Sequence, residues 1–283
     1  MVTVIAEIGI NHNGNLALAK KMIKTAKECG ADFVKFQIRD VETVYAGQLD
    51  GPRNDGNPYG WKTVREQKNG IELTHESYYE IDRYCNEIDM PWFASCWDEK
   101  SFDWADVSFD WPYHKIASAM LTNDIILKKA ALSGKKIIMS VGGSTLEQIL
   151  HARNLLYLSG VKPRNLTVMH CVAQYPCDDS KLNLRFLSYL PSYFAESTIG
   201  YSGHEVGLLP SVVAIGLGAK VIERHFTLDR SMYGSDQSAS MEPHGLAQLC
   251  SIAHRAEEII GDGIKSISEK EAACMRKLRY WEK

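Results

Sequence analysis

The feature that most constrains the fold is a regular alternation of two kinds of segment along the chain. Short runs of β-branched and apolar residues recur about every 20 to 35 residues, once after a longer gap, and most precede a segment of helical periodicity. The runs that predict strands cover residues 2–8, 32–37, 91–95, 114–118, 136–140, 166–170, 198–201 and 220–223. The clearest helix candidates cover residues 16–29, 74–88, 124–132, 145–158, 206–216 and 243–260. Eight such units without a linker predict an α/β fold, a closed (β/α)8 or TIM barrel, rather than two open-sheet domains.

The same pattern predicts the domain organisation. The 283 residues are close to the length of about 250 that is typical of this barrel, so we expect a single domain over residues 1–283. Within it, residues 262–283 read as a charged C-terminal tail with a helix near 268–278. The longest interruption, residues 38–73, exceeds an ordinary connection and is predicted to lie over the barrel mouth.

Composition and charge exclude several classes of protein. With 45% apolar residues the chain can bury a core, and a formal net charge of -3 is too balanced for the basic field of a nucleic-acid-binding protein. No apolar stretch reaches the roughly 20 residues of a membrane helix, and the N-terminus shows no signal-peptide pattern. The seven dispersed cysteines include no CxxC pair and are predicted to be reduced thiols. We therefore expect a cytoplasmic protein.

Polar residues collect at the carboxyl ends of the predicted strands, where barrels of this class carry their chemistry. Lys35 and Lys115 each lie in a strand that otherwise reads as buried. Because a buried ammonium group needs a partner, the two lysines imply either a bound anion or pairing with Glu7 and Glu223 inside the barrel. Both readings stay open at this point.

Hydroxyl groups at neighbouring strand ends favour the bound anion. Ser118 lies on the predicted fourth strand, Ser140 closes the fifth, and Ser202 follows the seventh. Together with backbone amides near Gly142 and Gly143, these hydroxyls are typical of a phosphate cradle.

Two histidines and one loop complete the candidate site. His204 and His225 lie at the ends of neighbouring strands, where both imidazoles can share a divalent metal such as Mn, Fe, Co or Zn. Asp236 lies after the last strand, either in an Asx turn or in a loop that closes over substrate. His12 is predicted to be a turn residue, and Glu242 to cap a helix rather than to catalyse.

Read together, the strand-end segments resemble the sialic acid synthase family. The segments are AEIGINHNG from Ala6, GADFVKFQ from Gly30, FASCWDEKS from Phe93, KIAS from Lys115, HCVAQYP from His170, GYSGHEVG from Gly200, VIERHFTLDR from Val221 and GSDQ from Gly234. The match covers nearly the whole chain in the order of the barrel strands.

The resemblance implies a condensation of phosphoenolpyruvate with an aldose such as an N-acylmannosamine. It implies that the phosphate and carboxylate of phosphoenolpyruvate are held by Lys35, Lys115, Ser95, Ser118, Ser140 and Ser202. It implies sugar contacts from Glu7, Gln37, Tyr175 and Asp236. It further implies a divalent metal on His204 and His225, with Mn²⁺ expected ahead of Mg²⁺, Co²⁺, Fe²⁺ or Zn²⁺, and a homodimer.

This sequence departs from the family pattern at several points. Met120 stands where members commonly carry an acidic residue that holds the sugar, Ala173 where an Asn often precedes the Tyr, and Gly203 where an Asp is common. The antifreeze-like C-terminal domain of longer relatives has no counterpart in the sequence. These departures predict either a different acceptor or a separate partner that supplies the missing domain.

The predicted reaction joins C3 of phosphoenolpyruvate to the aldehyde, with water adding at C2 and phosphate leaving. Lys115 and Lys35 offset the charge of the phosphate and carboxylate, the metal binds the aldehyde oxygen, and Glu7 or Glu223 orients or deprotonates the water. Two alternatives stay open: a Schiff-base aldolase with Lys115 or Lys35 as nucleophile, and a catalytically silent sugar-binding barrel.

Overall fold

The computed structural model describes residues 1–53 and 56–282, which form a closed barrel of parallel strands ordered β1 to β8. The strands are β1 (Thr3–Gly9), β2 (Phe33–Ile38), β3 (Trp92–Cys96), β4 (Tyr113–Ile116), β5 (Lys136–Ser140), β6 (Leu166–His170), β7 (Thr198–Gly203) and β8 (Val221–His225). Each pairs with its sequence neighbours, and β1 closes the barrel on β8. The predicted fold class is confirmed.

Helices surround the strands. They are α1 (Leu16–Glu28), α2 (Val41–Val44), α3 (Val64–Ile71), α4 (His75–Glu87), α5 (Glu99–Ser108), α6 (Asp124–Leu132), α7 (Leu146–Leu158), α8 (Leu190–Tyr193), α9 (Leu209–Gly216), α10 (Pro243–Ile260) and α11 (Glu269–Leu278). Side chains of Asn15, Thr74, Asn123 and Thr145 accept hydrogen bonds at helix N-termini, which explains where α1, α4, α6 and α7 begin.

Several predicted boundaries differ by one to three residues from those observed, and two of them have a clear cause. β4 ends at Ile116, and Ser118 begins a 3₁₀ turn in which the Met120 amide donates to the Ala117 carbonyl at 2.8 Å. The helix predicted from residue 206 begins at Leu209, because Pro210 fits the first helical turn and has no amide hydrogen to donate in a longer helix.

The insertion at residues 38–73 contains α2 and α3 and contacts the loop that follows β8. Its Gln67 side chain donates to the Tyr233 hydroxyl at 3.0 Å, and the rings of Tyr59 and Trp61 lie 5.8 and 5.9 Å from the Tyr233 ring. Residues 54 and 55 of this insertion, and residue 283 of the tail, lie outside the described residues. The contacts join the insertion to the carboxyl-end loops of the barrel.

The C-terminal segment carries the predicted helix. α11 begins after Ser268, whose hydroxyl accepts from the Glu271 amide at 3.2 Å, and its residues are largely exposed. Across residues 1–53 and 56–282, no helix combines the length and apolar character needed to cross a membrane.

Candidate active site

A cavity of about 250 Å³ lies at the carboxyl ends of the barrel strands. The residues that line it are Glu7, Lys35, Gln37, Ser95, Trp97, Lys115, Ala117, Ser118, Ala119, Ser140, Ala173, Tyr175, Ser202, His204, Glu223 and His225. Every site residue predicted from the sequence is in this set except Asp236. The structure thus brings side chains from all eight strand ends or the loops after them into one cavity.

Two ion pairs form the floor of the cavity. Lys35 Nζ lies 2.8 Å from Glu7 Oε2 and 3.8 Å from Glu223 Oε1, and Lys115 Nζ lies 3.1 Å from the same Glu223 oxygen. All four groups are buried. Burial alone would raise the pKa of Glu223, but Lys115 and Lys35 lower it to about 2. Burial is the main cause that lowers the pKa of Lys115. The lysines therefore have carboxylate partners and also face the space where an anion would bind.

The serines are divided between the ion pairs and the cavity wall. Lys115 donates to Ser140 Oγ at 2.8 Å, and Ser202 donates to Glu223 Oε1 at 3.2 Å. The Gly142 amide lies 3.1 Å from Ser118 Oγ and 3.2 Å from Cys171 Sγ. The expected cradle is corrected here: the Gly142 amide already donates within the protein, so hydroxyls and ammonium groups, rather than this amide, face the cavity.

One wall contains Trp97, which was not predicted from the sequence, and Arg39 lies against it. Gln37 donates to Glu7 Oε1 at 2.8 Å and accepts a hydrogen bond from Arg39. The Arg39 guanidinium lies 4.4 Å from the centre of the Trp97 ring and pairs with Glu72 at 2.9 Å. Trp97 directly follows β3 in FASCWDEKS, so its place after a strand end was the signal that could have identified it.

The two predicted metal ligands lie side by side opposite the lysines. The imidazole centres of His204 and His225 are 5.6 Å apart, and the Tyr175 ring lies 4.1 Å from that of His204. His204 Nδ1 is 2.6 Å from the Val172 carbonyl, a contact that requires hydrogen on Nδ1 and leaves the Nε2 lone pair available. Burial, followed by the nearby His225, lowers the pKa of His204 to about 3, so the ring is neutral as a metal ligand must be.

His225 has a polar atom that could serve a ligand. Within the described residues, its Nδ1 is buried and has no hydrogen-bond partner, and the closest carboxylate oxygen, on Asp236, is 3.7 Å away. The described residues contain no group of three or more His, Cys, Asp or Glu side chains suited to a metal. Two imidazoles would therefore leave several coordination positions to water or substrate.

Asp236 lies next to the cavity rather than in its wall. It precedes the 3₁₀ turn Gln237–Ala239 without capping it, and its Oδ1 accepts a hydrogen bond from Ser235 Oγ at 2.7 Å. Glu242 occupies the N-cap position of α10, as predicted, but its side chain accepts from the Arg230 amide at 3.1 Å instead of capping the helix. His12 is buried in the turn after β1, outside the cavity.

The three departures from the family pattern have different structural settings. Met120 packs against the hydrophobic core, and its neighbour Ala119 lines the cavity. Ala173 lies in the cavity wall. Gly203 is closely covered by the carboxylate of Glu205, and a Cβ at this position would lie 2.7 Å from both Glu205 oxygens. The Met120 position therefore does not supply a group to this cavity.

Comparison with known proteins identifies the family. The NeuB family model matches residues 22–265. The chain belongs to the NeuB family. It is 38% identical to the human N-acetylneuraminate-9-phosphate synthase over 97% of this chain and 76% of the relative. It is 37% identical to the N,N'-diacetyllegionaminic acid synthase of Campylobacter jejuni over 95% of this chain and 80% of the relative.

A solved structure agrees with this NeuB assignment. The N-acetylneuraminic acid synthetase of Leptospira borgpetersenii, in complex with citrate, superposes with a TM-score of 0.83 at 28% identity, over 100% of this chain and 93% of that one. The predictions of a sialic-acid-synthase-like protein and of an enzyme are confirmed.

Proposed function

We propose that this protein condenses phosphoenolpyruvate with an aldose to give a 2-keto sugar acid and phosphate. The observation that carries the proposal is that two ammonium groups and two imidazoles, distant in sequence, share one cavity. The relatives that support it are synthases of sialic-acid-like sugars. In this proposal Lys35, Lys115 and the cavity serines Ser95, Ser118, Ser140 and Ser202 bind the phosphate and carboxylate.

In this proposal the acceptor sugar lies next to phosphoenolpyruvate in the same cavity. Gln37, Tyr175 and Asp236 contact its hydroxyl or acylamino groups. Glu7 accepts a hydrogen bond from Gln37 and lies next to the same sugar. Binding both substrates in one cavity holds C3 of phosphoenolpyruvate against the aldehyde carbon, which removes much of the entropic cost of a bimolecular reaction.

His204 and His225 are the residues that would hold a divalent metal, and we expect Mn²⁺. Synthases of this family depend on a divalent metal. The neutral His204 ring, with its Nδ1 directed at a carbonyl, fits such an ion, as does His225 Nδ1, which has no hydrogen-bond partner among the described residues. When bound, the ion supplies Lewis-acid polarisation of the aldehyde.

The proposed reaction proceeds in two bond-forming steps. C3 of phosphoenolpyruvate attacks the aldehyde carbon, a C–C bond forms, and the aldehyde oxygen takes up a proton to become a hydroxyl. Water then adds to C2 and loses a proton, and the bond between C2 and the phosphate oxygen breaks while the new C2 hydroxyl gives its proton to the leaving phosphate, which leaves a ketone. Glu7 or Glu223 orients the water and accepts its proton, while Lys35 and Lys115 offset the charge of the leaving phosphate.

The test is phosphate release that requires both substrates. His225→Ala should abolish it, because one of two proposed metal ligands is lost, and metal analysis should show a matching loss of bound ion. The control is His151→Ala, an exposed histidine paired with Asp124 on the outer helices, which should release phosphate at the wild-type rate. Unchanged release by the His225 variant would refute the metal role.

The alternative of a Schiff-base aldolase makes an opposite prediction. Lys115 donates to Ser140 and Glu223, and Lys35 pairs with Glu7, so both amino groups are engaged with side chains of the barrel rather than directed at a carbonyl carbon. We therefore expect borohydride to trap no keto acid on the protein. Trapping at either lysine would favour the aldolase.

The proposed working form is a homodimer. Leu209 and Val213 in α9, and Leu217 directly after it, are exposed and offer an apolar surface that a second copy could cover. Light scattering at micromolar concentration should give twice the mass of the chain, and a monomer mass would refute the proposal.

A further inference from the structure

Arg39 lies next to the wall of the active-site cavity and contacts two of the residues that form it. It follows β2 directly, two residues after Gln37, a spacing that places side chains on the same side of an extended chain. Its guanidinium donates to Gln37 Oε1 and lies 4.4 Å from the centre of the Trp97 ring. Gln37 and Trp97 line the cavity, whereas Arg39 does not. Arg39 can therefore act on a substrate in this cavity through these two side chains.

The contact with Arg39 determines the orientation of the Gln37 amide. A guanidinium has only N–H donors, so the amide atom that faces it has to be the oxygen. The amide nitrogen then faces Glu7 and donates to Oε1 at 2.8 Å, while the other Glu7 oxygen lies 2.8 Å from Lys35 Nζ. A reversed amide would set donors against donors at Arg39 and acceptors against acceptors at Glu7. In the observed orientation, the second N–H on the Gln37 nitrogen can donate to a ligand.

Glu72 holds Arg39 in this position. Glu72 directly follows α3, and its Oε1 lies 2.9 Å from Arg39 Nη1. The two side chains are exposed by only 10% and 5%. Separating a buried ion pair is costly, because each charge would lose its partner without regaining water. The pair therefore couples the end of α3 to the cavity wall.

The third contact of the guanidinium is with Trp97. Planar guanidinium groups stack on aromatic rings, and Trp is the aromatic side chain that attracts cations most strongly. One guanidinium thus contacts a carboxylate, an amide oxygen and an indole ring at the same time. The compact ammonium group of a lysine could not make all three contacts.

We propose that Arg39 is a positioning residue for the acceptor sugar and acts through the Gln37 amide and the Trp97 ring. This inference rests on the proposed function, in which Gln37 contacts the sugar. Arg39 keeps an N–H of Gln37 available to a sugar oxygen and holds the Trp97 ring in the wall beside the sugar. Phosphoenolpyruvate is held by the lysines and serines, so its binding does not depend on Arg39.

The test removes the ion pair as a unit. Arg39→Met alone would leave Glu72 buried without a cation, so it is combined with Glu72→Leu, since apolar replacement of a whole buried pair is often tolerated. Phosphate release is measured with phosphoenolpyruvate and N-acetylmannosamine. The acceptor KM of the double variant should rise about 10-fold, as expected for the loss of one oriented hydrogen bond and a ring contact. The phosphoenolpyruvate KM and kcat should change by less than about 3-fold, because the lost contact binds the acceptor alone.

The matched control is Glu72→Gln, which keeps Arg39 with its contacts to Gln37 and Trp97 and offers it an amide oxygen. Its acceptor KM should stay within about 2-fold of the wild-type value. Arg39→Lys keeps a cation for Glu72, so it provides a folded variant if circular dichroism shows that the double variant is unfolded. It should raise the acceptor KM at least about 3-fold, because it cannot make all three contacts. An unchanged acceptor KM in the folded variant, or equal rises in the KM of both substrates, would overturn the inference.

Binding of a reduced acceptor separates this inference from the proposed function. N-acetylmannosaminitol, which lacks the aldehyde, is titrated by calorimetry into each full-length protein saturated with phosphoenolpyruvate. The double variant should bind it about 10-fold more weakly than the wild type and Glu72→Gln do. Arg39-dependent binding without phosphate release by the wild type would refute the condensation and support the positioning role. Phosphate release together with Arg39-independent binding, or no binding by the wild type, would overturn the positioning role.

Discussion

At the residue scale, the chain has Gly203 where the family commonly has an aspartate, yet the neighbouring buried Arg224 still has a carboxylate partner. Gly203 and Arg224 are cross-strand partners in β7 and β8. Arg224 is completely buried, and its carboxylate partner is Glu205 at 2.8 Å, which also accepts from the Tyr201 hydroxyl at 2.7 Å. An aspartate at position 203 would place a carboxylate beside Arg224. In this chain Glu205 supplies that carboxylate.

This arrangement predicts a non-additive pair of substitutions. Glu205→Ala should lower the free energy of unfolding by about 3–5 kcal/mol, because Arg224 would be left buried without a carboxylate. Gly203→Asp alone should also destabilise, since its Cβ meets the Glu205 oxygens. The double variant should be at least ~1 kcal/mol more stable than Glu205→Ala, as measured by urea unfolding. Simple additivity would show that the introduced aspartate does not replace the Glu205 carboxylate.

His12 predicts a specific loss of stability in acid. Burial lowers the pKa of His12 to about 3, from the ordinary 6.5 of a solvated imidazole. The unfolded chain therefore binds a proton that the native protein does not, and stability falls as the pH drops from about 6.5 towards 3, by about 2 kcal/mol at pH 5. His12→Asn keeps an acceptor for the Gly14 amide and should flatten this part of the pH profile in denaturant unfolding, whereas exposed His151→Asn should not.

The residue types in the sequence predicted the charged groups of the active-site cavity but not all of the residues around it. A lysine in a buried strand requires a partner, which identified Lys35 and Lys115 together with Glu7 and Glu223. Arg39 and Trp97 were missed because their contribution arises from a contact between two loops. Loop–loop contacts depend on how neighbouring strands are arranged in space, and no periodicity in the sequence encodes them.

At the element scale, the aromatic rings of Tyr59 and Trp61 in the insertion pack against Tyr233 in the loop after β8. Tyr59 stacks on Trp61 with ring centres 4.4 Å apart, and the Trp61 indole covers Gly70 in α3. Strand and helix positions were predicted well because their buried faces repeat with fixed periods. The helices α2 and α3 were not predicted individually, because they are short and α3 depends on a capping box between Thr63 and Glu66.

Gly70→Ala tests this attachment. A Cβ at position 70 would lie 2.5 Å from the Trp61 ring, so the indole must move away. In an exposed helix the same change usually stabilises by about 1 kcal/mol, whereas here it should speed hydrogen exchange over residues 57–71 and raise the acceptor KM. Asn69→Ala, on the exposed side of α3, is the control. Unchanged exchange in the Gly70 variant would contradict the attachment by Trp61.

At the scale of the whole molecule, the barrel balances its internal charges before any substrate binds. Two lysines and two glutamates face one another at the mouth, all within a lumen closed by eight strand pairings. The balance lets the apoprotein fold with charged groups inside. It also means that an anionic substrate competes with Glu7 and Glu223 for the same ammonium groups.

Glu223→Gln separates these two effects. The apoprotein should melt at a lower temperature, because Lys115 loses its carboxylate partner and a buried pair is broken. Phosphoenolpyruvate should then raise the melting temperature of the variant by more than that of the wild type, since the excess positive charge binds the anion more tightly and ligand binding stabilises the native state. Glu257→Gln removes an exposed carboxylate that pairs with Lys220 on the outside of the barrel, and it should leave the ligand-induced shift unchanged. If phosphoenolpyruvate shifts the Glu223 variant no more than the wild type in thermal scans over a range of ligand concentrations, the internal carboxylates do not compete with the substrate.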